Sequence, residues 1–295
     1  MVETLLVFWM WLAFAVFVVG CGWRGLRWAR APVHLRWDLY PVAHEPRPHG
    51  GSYLEEKEWW TKPRHVSLAG EAIVMAEEIL LLKGVWEHNR KVWWASFPFH
   101  WGLYLLIVTT GGLALAAVGL RAEAWLSLLA VVGGMGGGLL AAGSLALLWL
   151  RSTEPKLRPY TAPLDLANLA VLVILGGLSL TVAVQDMAGA AAAMEDLLRF
   201  RTPGPLTPVL AAHMAVAGLF LLYFPLTRMV HFFAKYFTYH AVRWDDRPRQ
   251  VGTALDRSLA AALNFGVTWA APHVRTGKTW AEVATTLPGD AKKGD

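Results

Sequence analysis

The sequence predicts an all-α membrane protein, a five-transmembrane-helix bundle. Three observations predict it. First, 55% of its 295 residues are hydrophobic and the mean hydropathy is +0.38, too apolar for an ordinary soluble domain. Second, five stretches (4–21, 94–118, 125–150, 165–185 and 206–231) are each mostly apolar and each reaches the roughly 18 residues needed to cross a bilayer core of about 30 Å. Third, the basic residues segregate. Eleven Lys/Arg lie in 21–92, three in 151–164 and ten from Arg228 onward, whereas the opposite loops hold only Arg121, Arg199 and Arg201, mixed with Glu123, Glu195 and Asp196. By the positive-inside rule the N-terminus is outside and the C-terminus cytoplasmic.

Each element follows from its residues. Residues 1–21 are the first span, with Glu3 before it, a basic stop (WRGLRWARAP) after it and no small-residue cleavage site, so it reads as a retained anchor. Residues 22–92 are a long cytoplasmic segment between helices one and two. It begins irregular, at PVAHEPRPHGG, where His44 and His49 read as loop residues rather than metal ligands. It ends in HVSLAGEAIVMAEEILLLKGVWEH, whose apolar Ile73, Ala76, Ile79 and Leu80 recur at helical spacing. That predicts an amphipathic helix on the membrane surface or against a partner.

Residues 93–231 hold spans two to five. The second carries His100 between Pro98 and Gly102, a pair that allows a kink and the close approach of a bulky ligand. The third carries five glycines in positions 133–138, which permit close helix packing or leave room for a flat cofactor. The fourth starts with Asp165, where a carboxylate suits the helix dipole. An alanine-rich piece between spans four and five is expected to lie flat on the membrane. The fifth span carries His213 and His231, with Pro225 expected to bend it. Residues 232–295 are polar and aromatic without a domain-sized core, and read as a cytoplasmic C-terminal docking arm that orders against another subunit.

Intramembrane histidines are uncommon and point to a functional site. His213 and His231 are 18 residues apart, about five turns and about 27 Å on one continuous helix, which would point both imidazoles the same way near opposite membrane surfaces. A bis-histidine haem b needs two neutral imidazoles at equal depth. His100 and His231 both lie toward the cytoplasmic side and form the natural pair, while His213, near the outer side, has no histidine at its depth. The competing view is that all three are polar packing residues.

The chain shows no nucleophile constellation, phosphate loop or redox cysteine motif. Its lone Cys21 makes neither an internal disulfide nor an iron–sulfur site. Net charge of +5 does not indicate nucleic acid, because the basic residues follow the membrane. Sixteen tryptophans, many at span boundaries (Trp9, Trp23, Trp28, Trp93, Trp94, Trp101, Trp125, Trp149), fit an interfacial belt. Two other function classes compete with the haem reading: a haem-free membrane anchor of a soluble redox complex, and a small transporter, which usually shows internal repeats and broken, charged helices.

The five-helix plan, FHWG on helix two and the His-x17-His of helix five resemble the NarI-like cytochrome b (gamma) subunits of respiratory nitrate reductases. The segments LYPVAHEP, GGSYLEEKEWWTKPR, NRKVWWASFPFHWGLYL, LRPYTAPLDLANL and MVHFFAKYFTYHAVRWDD resemble, more closely, the DsrM-type membrane cytochrome b of heterodisulfide-reductase-related menaquinol oxidoreductase complexes. The resemblance implies a hetero-oligomeric complex in a bacterial or archaeal cytoplasmic membrane. Electrons would pass between quinone, by implication menaquinone, and a cytoplasmic iron–sulfur, heterodisulfide-reductase-like subunit. It implies haem b on His100 and His231. In the family pattern a second helix-two histidine, ten residues on, pairs with the first helix-five histidine; here the ten-on residue is Thr110. His213 is therefore left for a second haem with another ligand, Met135 being one candidate, or for a hydrogen bond to quinone.

Overall fold

A computed structural model describes residues 2–31, 52, 55–63, 65–244, 250–271, 274 and 276–286. The segment LYPVAHEP, with His44, and the following His49 lie outside the described residues. In chain order the structure forms α1 (Val2–Ala29), α2 (Leu68–Ala76), a π-helical turn (Glu77–Leu81), α3 (Lys83–His88), α4 (Arg90–Ala117), α5 (Glu123–Thr153), α6 (Pro163–Gln185), α7 (Met187–Leu198) and α8 (Pro208–Tyr223). Two single 3₁₀ turns, Phe224–Leu226 and Arg228–Val230, lead to α9 (His231–Phe237), a second π-helical turn (Thr238–Arg243), α10 (Ala254–Leu263) and α11 (Trp280–Thr285). Among the described residues the molecule is helical, with only two isolated β-bridges, Gly266 to Thr279 and Ala271 to Val274.

Five of these elements are long and apolar enough to cross a membrane: α1, α4, α5, α6 and the stretch Pro208–Leu226. The chain is a multi-pass membrane protein. Local chemistry sets the helix ends. Asn89 caps α4 by accepting the Val92 N–H at 3.2 Å. Pro163 opens α6 where no N–H is needed, and Asp165 accepts the Ala162 N–H at 2.9 Å. Thr207 caps α8 ahead of Pro208. Pro98 sits inside α4 without interrupting it.

The chain divides into two compact units. The first holds residues 1–22 and 75–230 and contains the spans. Its centre is backbone-to-backbone packing. A Cβ at Gly102 of α4 would run into the Leu140 backbone of α5, and one at Gly143 of α5 into the Phe99 backbone. One at Gly137 would run into Leu180 of α6. The glycines of helix three thus bring three helices into contact, which hydrocarbon solvent rewards because association there depends on packing and not on exclusion of water. The alanine-rich piece forms α7 (Met187–Leu198). It packs against the bundle and buries Ala190, Ala191 and Ala193, since small side chains let it seat against its neighbours.

The expected continuous fifth helix over 206–231 is broken. Pro225 supplies no N–H and packs against Gly20 of α1, where a Cβ would stand 2.6 Å from its ring. Thr227 is extended (φ −97°, ψ 175°). Its Oγ1 donates to Phe224 O at 2.9 Å and accepts from the Met229 N–H at 3.1 Å, so the break carries its own hydrogen bonds.

The second unit holds residues 23–74 and 231–295. Phe233 of α9 lies on Trp28 (5.0 Å between centroids), and Tyr239 and Trp244 are buried. His240 Nδ1 donates to Tyr236 O at 3.0 Å, and its Nε2 lies 3.1 Å from Glu71 Oε2. Beyond α10 the chain folds back through Val267 N–H to Lys278 O (2.7 Å) and Trp280 N–H to Phe265 O (3.0 Å), and α11 is capped by Thr279 and Glu282.

Candidate haem and quinone site

His100 sits in the third turn of α4, one residue after Phe99, which faces α5. Its Nδ1 is 2.7 Å from Ser96 O. A carbonyl oxygen only accepts, so Nδ1 carries the hydrogen and the basic lone pair is on Nε2. An axial haem ligand needs that tautomer, held by a second hydrogen bond to a carbonyl. The ring is also packed edge-on against Phe99 (5.1 Å) and tilted against Tyr104 (6.3 Å).

The same end of α4 is fastened to the segment before it. The π-helical turn Glu77–Leu81 ends at Leu82 in the left-handed region (φ 52°), which leaves carbonyls without helical partners. Three side chains of α4 supply the donors. Tyr104 Oη reaches Ile79 O at 2.8 Å, Trp101 Nε1 reaches Leu80 O at 3.0 Å and Trp93 Nε1 reaches Leu81 O at 2.8 Å. Glu78 accepts the Gly84 N–H at 3.0 Å, and Lys83 lies 2.6 Å from Glu77, whose hydrogen bond raises the Lys83 ammonium above its ordinary value. The sequence marks Trp93 and Trp101 only as belt residues. That their N–H groups meet a π turn carries no sequence signal, because the turn itself has none.

His213 lies on α8 against α6. Its Nε2 is 3.0 Å from Ser179 Oγ, and Ser179, 6% exposed, is also 2.8 Å from its own Leu175 O. The helix ends nearest this pair are tied through Asp186. It caps α7 at the Gly189 N–H (3.1 Å) and accepts from Thr207 Oγ1 at 2.6 Å. Glu195 gathers Arg121 (2.8 Å), Arg201 (3.3 Å) and Arg199 (3.4 Å) at the end of α7.

The other candidates fall elsewhere. Thr110 is exposed and bonds back to Leu106 O at 2.8 Å. Met135 is 57% exposed and turned outward from the bundle. His231 opens α9 in the second unit, whereas His100 and His213 belong to the first. His213 and His231 are on separate helices, so the phase of one continuous helix does not relate them, the break at 224–230 being the reason.

Five apolar spans, with glycine-packed contacts on the third and a break in the fifth, define a multi-pass helical membrane bundle. Residues 85–246 match the nitrate reductase gamma subunit family. The match covers more than half of the chain, and the chain belongs to this family of membrane cytochrome b subunits of quinol-linked oxidoreductases, which bind haem b and quinone. No curated protein matches the chain.

Proposed function

We propose that this chain is the haem b subunit of a quinone-linked respiratory oxidoreductase of the DsrM type. It passes electrons between (mena)quinol in the membrane and a cytoplasmic iron–sulfur, heterodisulfide-reductase-like subunit. The observation that carries this is the Nδ1 bond of His100 to Ser96 O, on a membrane-crossing helix inside the family match. The residues fit the group: a carbonyl-fixed imidazole presents Nε2 as an iron ligand, and Phe99 and Tyr104 hold its ring. Bound haem b supplies one-electron redox chemistry in a hydrocarbon setting.

His100 and His231 are the proposed axial pair, on the strength of their depth in the sequence and the family pattern. His213 is assigned to the quinone. The orientation is N-terminus outside and C-terminus inside a bacterial or archaeal cytoplasmic membrane. Residues 1–21 and 93–231 form the membrane part. Residues 22–92 and 232–295 form the cytoplasmic part that holds the partner.

The test is a pyridine haemochrome assay on the purified chain, normalised to protein, beside His100→Ala. We expect haem in the wild type and its loss in the variant. A wild type without a Soret band leaves the haem-free anchor as the function.

A further inference from the structure

We propose that Ser179 is a positioning residue that fixes His213 as a hydrogen-bond acceptor, so that the site takes the hydroxyl of a quinol in preference to the carbonyl of a quinone. This rests on the reading of the chain as a quinone-linked subunit.

The argument is a count of protons. Ser179 Oγ has one hydrogen. It lies 2.8 Å from Leu175 O, which only accepts, so the hydrogen is spent there. At the second contact, 3.0 Å from His213 Nε2, Ser179 Oγ must then accept, and Nε2 carries the hydrogen. The remaining lone pair of the neutral imidazole is on Nδ1, which has no hydrogen-bond partner among the described residues. Turning the serine hydroxyl toward Nε2 would give up the Leu175 bond in a place 6% exposed, where no solvent replaces it.

Two consequences follow for the ligand. A lone-pair acceptor on a partly exposed imidazole in an apolar span recognises a hydroxyl donor. A quinol offers two hydroxyls, whereas the oxidised ring offers only carbonyl acceptors, which meet a lone pair unfavourably. The site therefore selects the reduced carrier. The same bond also sets His213 apart from His100: iron ligation through Nε2 of His213 would require breaking its contact with Ser179.

The experiment uses the purified full chain with its haem, and reads two quantities besides turnover. One is haem per chain by pyridine haemochrome. The other is the affinity for a short-chain menaquinol analogue and for its oxidised form, by quenching of tryptophan fluorescence. The wild type should bind the reduced form more tightly. Ser179→Ala should cut that preference by about tenfold, the size of one hydrogen bond, with haem unchanged. Ser179→Thr, which keeps the hydroxyl, should retain it. Equal affinities in a haem-bearing wild type, a preference that survives Ser179→Ala, or haem that falls in His213→Ala would each overturn this inference alone. A wild type with no haem and no affinity for either form would sink the function it rests on.

Discussion

His100 and His213 are the same residue in the same kind of surroundings, yet their neighbours fix opposite hydrogens. Toward the N-terminal end of α4 the partner of His100 is a backbone carbonyl, Ser96 O, and it takes the Nδ1 hydrogen. In α8 the partner is a hydroxyl already committed to a carbonyl, and it takes the Nε2 hydrogen. A carbonyl one turn back on the same helix is available to any helical histidine. A cross-helix serine is not, so the second arrangement depends on how α6 and α8 pack. Under the proposed function, the nitrogen that the neighbours occupy is what separates an iron ligand, His100, from a hydrogen-bond acceptor, His213.

The largest effect that would break this comparison is on haem. His100→Ala should abolish the haemochrome signal, while His213→Ala should leave about the same haem per chain, since one bis-histidine centre needs only the first. Equal loss in both variants would show that the two histidines do the same work.

The next effect tests whether the region around His100 depends on close helix contact. Gly143→Leu forces a side chain against the Phe99 backbone, one residue from His100. Overpacking of this kind costs about 1–3 kcal/mol or more. Thermal denaturation followed by the Soret band should show a lower Tm and haem release before unfolding. Gly138→Leu, where a Cβ meets nothing within 4 Å, is the control and should be close to wild type.

A smaller effect is expected at the π turn. Trp101→Phe keeps the ring and removes the 3.0 Å bond to Leu80 O. An unmet carbonyl near the membrane surface costs about 1 kcal/mol, which is about 2–4 °C in Tm for a chain of this size. A variant with unchanged Tm would mean that solvent meets that carbonyl.

The spans were legible because length and apolarity are enough to specify them in a bilayer, and the second, third and fourth were placed within a few residues of their ends, whereas α1 runs on into its basic stop as far as Ala29 and the fifth leaves the α-helix at Tyr223. His100 stands out in the sequence as a candidate by its rarity in a span, and the structure adds its bond to Ser96 O. The glycines at 133–138 left packing and cofactor room open, and in the structure Gly136 meets the α4 backbone and Gly137 the α6 backbone, which is packing. What was not legible depends on partners far away in sequence. Pro225 predicts a bend. The full break needs the Thr227 hydroxyl to serve both sides of it and Gly20 to admit the proline ring. Ser179 is 34 residues from His213. In sequence it is one more small polar residue in an apolar run, with nothing to separate a self-bonded serine from one that orients a neighbour.

The smallest effect concerns the rim where α4 begins and α5 ends, on the side of His100, and should leave His213 untouched. Lys91 at the start of α4 pairs with Glu154 just past the end of α5, and this hydrogen bond holds the Glu154 carboxyl below its ordinary value of 4.5. A lowered carboxyl stabilises the fold above the unfolded-state value, and that contribution disappears as the pH falls through the lowered one. Above pH 4.5 the pair should therefore add a constant amount, and only in more acid solution should it vanish. Both groups are open to water, so the pair is screened and its effect on Tm is slight. Lys91→Met should lower Tm slightly at neutral pH, and the gap to wild type should close in acid. The same titration run on the affinity for quinol should show no difference between Lys91→Met and wild type, because His213 is held from the opposite ends of the helices by Asp186 and Thr207. A shift in quinol affinity in that variant would mean that the two histidine regions are coupled through α4 and α5.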